Sequence, residues 1–122
     1  MTSRFTELVI DSDDPERLAG FWLEVLGCTD VERGTEADPF VAISGGGSPV
    51  ELVFAPVPEG KRVKNRVHID VNASDRDQAE EVERILGLGA TRADVGQGED
   101  VSWVVLTDPE GNEFCVLRSR VD

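Results

Sequence analysis

The segment ELVIDSDDPERLAGFWLEVLG, residues 7–27, contains a strand pattern followed by a helix pattern. Apolar and polar side chains alternate at its start, which predicts a strand over residues 5–11. Asp14 can cap a helix, Pro15 suits its first turn, and Gly27 suits its end. The apolar stripe of this helix consists of Leu18, Phe21, Trp22 and Val25. The segment therefore predicts a strand followed by an amphipathic helix.

Three short strands are predicted after this helix. They lie near residues 29–33, 40–44 and 50–55. The glycine-rich stretch SGGGSP makes the turn between the last two of them. The loop APVPEGKRVK, residues 55–64, contains proline and glycine and leads into the second half of the chain.

The second half repeats this order of elements. A strand is predicted over residues 67–72, and Ser74 or Asp75 can cap the helix that follows. Gly87 and Gly89 are expected to end that helix. The apolar positions of the helix are Ala79, Val82, Ile85 and Leu86. The last three strands are predicted near residues 91–95, 102–107 and 113–118, with the turn DPEG at 108–111.

The two halves can be aligned by counting. A shift of 61 residues places Glu7 on His68, and a shift of 64 places Glu51 on Cys115. The tetrapeptides LGCT and LGAT match at a shift of 62. One βαβββ unit therefore occurs twice, with a drift of one or two residues between the copies.

The repeat predicts one α+β domain over residues 1–122, with module 1 at about 4–56 and module 2 at about 65–120. A single βαβββ unit leaves sheet edges and one sheet face uncovered. We therefore expect two tandem modules that form a curved, half-open mixed sheet barrel with the helices outside.

Strand alternation separates an apolar face from a polar face. Four candidate ligands or proton carriers lie on the face that points away from the helices. They are Glu7, Glu51, His68 and Cys115. If the sheet curls, these groups converge in its hollow, where Trp22 and Trp103 are candidates for ligand contact. His68 is the only histidine of the chain, and it can be a metal ligand or a hydrogen-bonded pocket residue.

The charge of the chain restricts its partners. The 25 acidic and 12 basic residues give a net charge of −13, which argues against nucleic-acid or membrane partners. Four of the basic residues cluster at Lys61, Arg62, Lys64 and Arg66. This cluster is either a solvated edge or an anion-binding rim, in which Lys64 and Arg66 would contact the ligand.

The compartment is expected to be the cytoplasm. No apolar run reaches transmembrane length, and the opening residues do not form a signal sequence. The two cysteines are too few for a disulfide framework and are expected to be reduced thiols.

Four segments carry a resemblance to a known superfamily. They are DDPERLAGFWLEVLG (13–27), KNRVHIDV (64–71), LGA (88–90) and DPEGNEFCVL (108–117). With the duplicated βαβββ unit, the chain resembles the vicinal oxygen chelate superfamily of glyoxalases, bleomycin-resistance proteins and extradiol dioxygenases. It is most similar to the glyoxalase-like domain proteins of that group.

The resemblance implies a divalent metal held by one side chain from each of the first, fourth, fifth and eighth strands. The matching positions are Glu7, Glu51, His68 and Cys115. Cys115 departs from the usual carboxylate, whereas Glu113 lies on the same face but next to a turn. The resemblance therefore implies Glu7, Glu51 and His68 as metal ligands, with Glu51 and His68 as catalytic groups and Cys115 lining the site.

Two functions follow from this resemblance. A site that binds Zn²⁺, Ni²⁺, Fe²⁺ or Mn²⁺ can act as a Lewis acid in a lyase, isomerase or oxygenase that takes a substrate with vicinal oxygens. The alternative is a metal-free small-molecule or antibiotic-binding protein of the bleomycin-resistance type, or a regulatory binding domain. The resemblance also implies a homodimer.

Overall fold

The computed structural model describes residues 2–93 and 103–118. Chain contacts divide the protein into two compact units, Met1–Gly60 and Lys61–Asp122. We call them the first and second modules. Each contains one helix and four strands among its described residues.

The first module follows the predicted order. Its elements are β1 (Glu7–Ser12), α1 (Pro15–Leu26), β2 (Asp30–Thr35), β3 (Asp38–Ser44) and β4 (Glu51–Pro56). The Asp14 carboxylate accepts a hydrogen bond from the Arg17 amide at 3.3 Å and caps α1. Gly27 ends the helix with φ 63°, a left-handed conformation that favours glycine. Both predicted helix ends are confirmed.

The core of the first module is the predicted apolar stripe of α1 packed on β3 and β4. Leu18, Phe21, Trp22 and Val25 are all buried. Phe21 and Trp22 make an edge-to-face contact with ring centroids 5.4 Å apart. Phe54 of β4 is fully buried. The helix is therefore anchored by aromatic packing.

The second module has the same order. Its elements are β5 (Ile69–Val71), α2 (Gln78–Gly87), β6 (Thr91–Arg92), β7 (Val104–Thr107) and β8 (Glu113–Val116). Val82 and Ile85 of α2 are buried, and α2 packs on β8, where Phe114 and Val116 have no exposed surface. The described residues do not include all of the predicted second module. The end of the predicted strand 91–95, the start of the predicted strand 102–107 and the last residues of the module lie outside them.

The two sheets have the same strand order. Hydrogen bonds join the strands as β1-β4-β3-β2 in the first sheet and as β5-β8-β7-β6 in the second. In each sheet the β1–β4 or β5–β8 pair is parallel and the other pairs are antiparallel. The α+β class and the duplicated βαβββ unit are confirmed, with one open four-stranded mixed sheet in each module.

The start of α2 was predicted incorrectly. Asp77, not Ser74 or Asp75, is the N-cap, and its carboxylate accepts a hydrogen bond from the Glu80 amide at 2.9 Å. The Asp75 carboxylate instead pairs with the Arg76 guanidinium, which lowers the pKa of Asp75 to about 2. Ala79 is exposed, so it does not belong to the buried stripe of α2, which contains Val82 and Ile85.

The start of β5 was also predicted too early. Val67 is 72% exposed and lies outside the strand. Ile69 pairs with Phe114, so Val67 would have to pair with Asn112. The backbone N–H and C=O groups of Asn112 are both used by Asp108 in the DPEG turn. The ladder therefore begins at Ile69.

Neither described helix is long and apolar enough to span a bilayer.

Candidate small-molecule and metal site

The parallel pair β5–β8 presents one buried face and one open face. Asp70 lies opposite Cys115 in the ladder, and Val71 lies opposite Val116. Because successive side chains of a strand alternate, Asp70 and Cys115 share the face opposite Phe114 and Val116. This is the face on which the sequence pattern placed His68 and Cys115.

A pocket of about 290 Å³ lies on this face of the second module. Charged or metal-ligating groups form one part of its wall, and apolar side chains form the other. The lining residues are Lys64, His68, Asp70, Trp103, Val105, Glu113, Cys115 and Leu117. The predicted site residues Lys64, His68, Trp103 and Cys115 therefore line one pocket. Arg66 is exposed and is not part of this lining.

Three metal-ligating side chains meet in the pocket. His68 Nε2 lies 3.1 Å from Asp70 Oδ1. The ligand atoms of His68, Asp70 and Cys115 all lie within 4.8 Å of one another. The His68 and Asp70 side chains are 45% and 46% exposed, whereas Cys115 is 7% exposed. The cluster therefore has a buried sulfur and two groups that are open to solvent.

The Cys115 thiol has a raised pKa. Burial is the main cause, and the charge of Asp70 and a hydrogen bond to its carboxylate add to it. Lys64 acts in the opposite direction. Without a cation, the thiol is therefore protonated at neutral pH and donates to Asp70.

Glu113 is held at the edge of the pocket by two donors. Lys61 Nζ lies 2.8 Å from Glu113 Oε2, and the Asn65 amide donates to Oε1 at 3.0 Å. Partial burial raises the pKa of Glu113, but these hydrogen bonds outweigh it and the pKa lies below its usual value. Glu113 is therefore ionised and fixed in orientation, although the sequence analysis left it outside the site.

The ladder corrects the alignment of the two modules. Leu8 pairs with Leu52 in the first module, and Ile69 pairs with Phe114 in the second. If Leu8 corresponds to Ile69, as the shift of 61 requires, then Leu52 corresponds to Phe114. The counterpart of Glu51 is therefore Glu113 and not Cys115.

The same register defines the other counterparts. Val9 pairs with Val53 in the first module, where the second module pairs Asp70 with Cys115. Cys115 therefore does not occupy the position of a fourth carboxylate ligand. It belongs with Asp70, and both replace apolar residues of the first module.

The predicted site residues of the first module lie in two environments. Glu7 and Glu51 are ladder partners on the parallel strands β1 and β4, so their side chains project from the same face. Glu7 is exposed and Glu51 is half-buried. Trp22 is 2% exposed in the core, so it offers no surface to a ligand here. The ligand set Glu7, Glu51 and His68 spans both modules and stays a prediction.

Sequence reasoning did not include Asp70 among the candidate ligands. The signal was present, because the alternation in HID places Asp70 on the same face as His68. The position of Asp70 opposite Cys115 requires the strand register, which the sequence does not contain.

The geometry agrees with the comparison to protein families. A family model described as Glyoxalase-like domain matches residues 7–117. The chain belongs to the glyoxalase-like domain family. No curated protein gives a significant sequence match to this glyoxalase-like domain.

Solved structures share the fold of this glyoxalase-like domain. The fosfomycin resistance protein FosX from Mesorhizobium loti is 13% identical with a TM-score of 0.72, covering 98% of this chain and 94% of that one. A glyoxalase/bleomycin resistance protein/dioxygenase family enzyme from Burkholderia phytofirmans PsJN is 18% identical with a TM-score of 0.68, covering 91% and 94%.

A mutant of FosX from Listeria monocytogenes is 12% identical with a TM-score of 0.72, covering 96% of this chain and 90% of that one. It was crystallised with Mn(II) and 1S,2S-dihydroxypropylphosphonic acid. At these identities the likeness establishes the fold of the vicinal oxygen chelate superfamily.

Proposed function

We propose that this glyoxalase-like domain binds a small oxygen-bearing molecule together with a divalent metal ion that His68 helps to hold. The observation that carries the proposal is the meeting of His68, Asp70 and Cys115 within 4.8 Å in one pocket. Imidazole, carboxylate and thiolate are the donors that borderline cations such as Zn²⁺, Fe²⁺ and Ni²⁺ take in proteins. The Mn(II) complex of FosX, which has the same fold, supports the proposal.

A cation bound here supplies Lewis acidity to a substrate oxygen. The side chains of the pocket bind and orient the ligand. Lys64 is the cationic group of the lining, so it binds an anionic group of the ligand. Trp103, Val105 and Leu117 form an apolar wall that displaces water from the bound molecule. Glu51 stays a predicted proton carrier, in a lyase, isomerase or dioxygenase reaction.

Metal analysis tests the proposal. The protein is purified without added metal, incubated with Zn²⁺, Ni²⁺, Fe²⁺ or Mn²⁺, desalted, and measured by elemental analysis. We expect stoichiometric metal in the wild type, loss of metal in His68→Ala, and full retention in Glu32→Gln, a control at an exposed carboxylate of β2. A wild type that retains none of the four metals overturns the metal-dependent function.

The apolar wall supports a second candidate function, metal-free binding of a small molecule. Trp103 is 40% exposed in the lining, so an aromatic surface is available to a ligand without a cation. A thermal-shift screen with and without EDTA separates the two functions, because a ligand that binds the native state raises the melting temperature. A hit that is unaffected by EDTA supports the second candidate.

The homodimer and the cytoplasmic location are part of the same proposal. Two free cysteines, Cys28 and Cys115, are buried, which agrees with a reducing compartment.

Light scattering coupled to size-exclusion chromatography tests the homodimer. We expect twice the monomer mass of 13.3 kDa, and elution at the monomer mass at micromolar concentration contradicts it.

A further inference from the structure

The cluster of His68, Asp70 and Cys115 in the second module is not repeated in the first. Asp70 and Cys115 occupy the ladder positions of Val9 and Val53. The first module shows that two valines at these positions are compatible with the same strand order. A carboxylate and a thiol are therefore not required by the fold, and their presence next to His68 indicates a binding role.

The spacing of the ligand atoms matches a metal centre. Bonds of about 2.0–2.1 Å to nitrogen and oxygen and about 2.3 Å to sulfur place tetrahedral ligand atoms about 3.3–3.6 Å apart. His68 Nε2 and Asp70 Oδ1 are already 3.1 Å apart. The largest distance between two ligand atoms in the cluster is at most 4.8 Å. Side-chain shifts of about 1 Å therefore bring the three ligand atoms to the spacing that a bound ion requires.

The burial of the three groups leaves one side of the centre open. Cys115 forms the buried floor, whereas His68 and Asp70 are nearly half exposed. Three protein ligands with an open fourth position are the arrangement of catalytic rather than structural zinc sites. The open side faces the pocket that also contains Trp103.

We infer that His68, Asp70 and Cys115 form a nitrogen, oxygen and sulfur site for a thiophilic divalent cation, Zn²⁺ or Co²⁺ in preference to Mn²⁺ or Mg²⁺. The inference rests on the proposed metal-dependent function and specifies its ligand set and metal class. It differs from the set Glu7, Glu51 and His68 in that all three ligands belong to the second module. A thiolate ligand selects soft or borderline cations over hard ones.

Cobalt spectroscopy tests the sulfur ligand. Wild-type protein is titrated with Co²⁺ under anaerobic conditions, in a buffer that contains a phosphine reductant to keep the thiols reduced. We expect a thiolate-to-cobalt charge-transfer band in the near ultraviolet. Cys115→Ser should lose the band and bind Co²⁺ about 100-fold more weakly or worse, since changes in outer-shell partners alone cost about 10–100-fold. Asp70→Asn should weaken binding while the band remains. Cys28→Ser, a buried cysteine of the first module, is the control and should behave like the wild type.

X-ray absorption of the zinc-loaded wild type needs no variant and keeps the inference testable if Cys115→Ser does not fold. We expect one sulfur at about 2.3 Å among nitrogen and oxygen ligands. A zinc site with nitrogen and oxygen ligands only overturns the inference but leaves the proposed function intact. Loss of zinc in Glu7→Gln and Glu51→Gln would then support the predicted set. A wild type that binds no metal overturns both.

Discussion

The two modules share a backbone plan but differ in what their open sheet faces carry. Both have a parallel pair, β1–β4 or β5–β8, followed by two antiparallel strands in the same order. On that plan the first module places Val9 opposite Val53, and the second places Asp70 opposite Cys115. The comparison shows that the helix-packed face is apolar in both modules, whereas the opposite face carries two valines in one module and a carboxylate and a thiol in the other.

The largest expected effect is on the shared apolar cores. Phe54 and Phe114 have no exposed surface in their respective modules. Phe54→Ala and Phe114→Ala should each lower the free energy of unfolding by about 3–5 kcal/mol, the lost burial plus the cavity left behind. Urea unfolding followed by fluorescence measures both, with Phe→Leu at each site as the milder control. A loss below about 1 kcal/mol at either site would show that the two cores are not equivalent.

The next largest effect is a difference in stability loss between alanine substitutions in the β3–β4 turn and in the β7–β8 turn. Gly46 has φ 58°, and a Cβ there would overlap the carbonyl oxygen of Gly27. Gly111 has φ 88°, but a Cβ there would meet nothing within 4 Å. Gly46→Ala should cost about 2–4 kcal/mol from strain and crowding, and Gly111→Ala about 1 kcal/mol from strain alone.

Thermal melts of the two alanine variants under identical conditions check this difference. Equal losses in melting temperature would contradict it, because a Cβ at Gly46 would overlap the backbone at the end of α1, whereas a Cβ at Gly111 would meet nothing.

A smaller effect concerns how the second turn is held. Asp108 is 4% exposed, and its carboxylate accepts hydrogen bonds from the Glu110 and Asn112 amides at 2.9 and 3.0 Å. Asp108→Ala should lower the free energy of unfolding by about 1–3 kcal/mol, because buried donors lose their acceptor. Asp108→Asn keeps one side-chain oxygen and should recover part of the loss. Full stability of the alanine variant in urea unfolding would refute this role.

The smallest effect concerns an ion pair between helix and edge strand. Arg33 of β2 donates to Glu16 of α1 at 2.7 and 2.9 Å, whereas Arg92 of β6 lies 3.6 Å from Glu83 of α2. The side chains of Arg33 and Glu16 are 61% and 60% exposed. Arg33→Gln should therefore lower the free energy of unfolding only slightly, and Arg92→Gln should lower it less still.

The pH dependence of this pair has a defined sign. The hydrogen bond from Arg33 lowers the pKa of Glu16, so its contribution is present above the unfolded-state pKa and is lost as the pH falls through the folded-state pKa. The stability difference between wild type and Arg33→Gln should shrink from pH 7 to pH 3. A difference that grows on acidification would contradict the assignment.

Local sequence signals predicted the first module well. Asp14, Pro15 and Gly27 mark both ends of α1, because Pro15 suits the first helical position and so selects Asp14 as the cap over Ser12 and Asp13. Before α2 the sequence offers several possible caps in succession, and the pairing of Asp75 with Arg76 leaves Asp77 to cap the helix. The cap choice there depends on side-chain contacts that periodicity does not contain.

The site was predicted only in part, for a related reason. Alternation along strands placed His68 and Cys115 on the open face, and the structure puts both in one pocket with Lys64 and Trp103. Glu113 was left outside the site because the shift of 64 used between β4 and β8 is two residues larger than the shift of 62 that the ladder gives. Counting along the sequence cannot detect this difference, whereas hydrogen-bond register can.

The edge strand β2 has a consequence for the behaviour of the protein in concentrated solution. β2 lies at one end of the first sheet, and its register shifts between Arg33 and Thr35. Charged Asp30 and Glu32 are exposed along it. A bent, charged border is a poor template for another chain to add a strand. We therefore expect β2 not to recruit a strand from another molecule when the protein is concentrated.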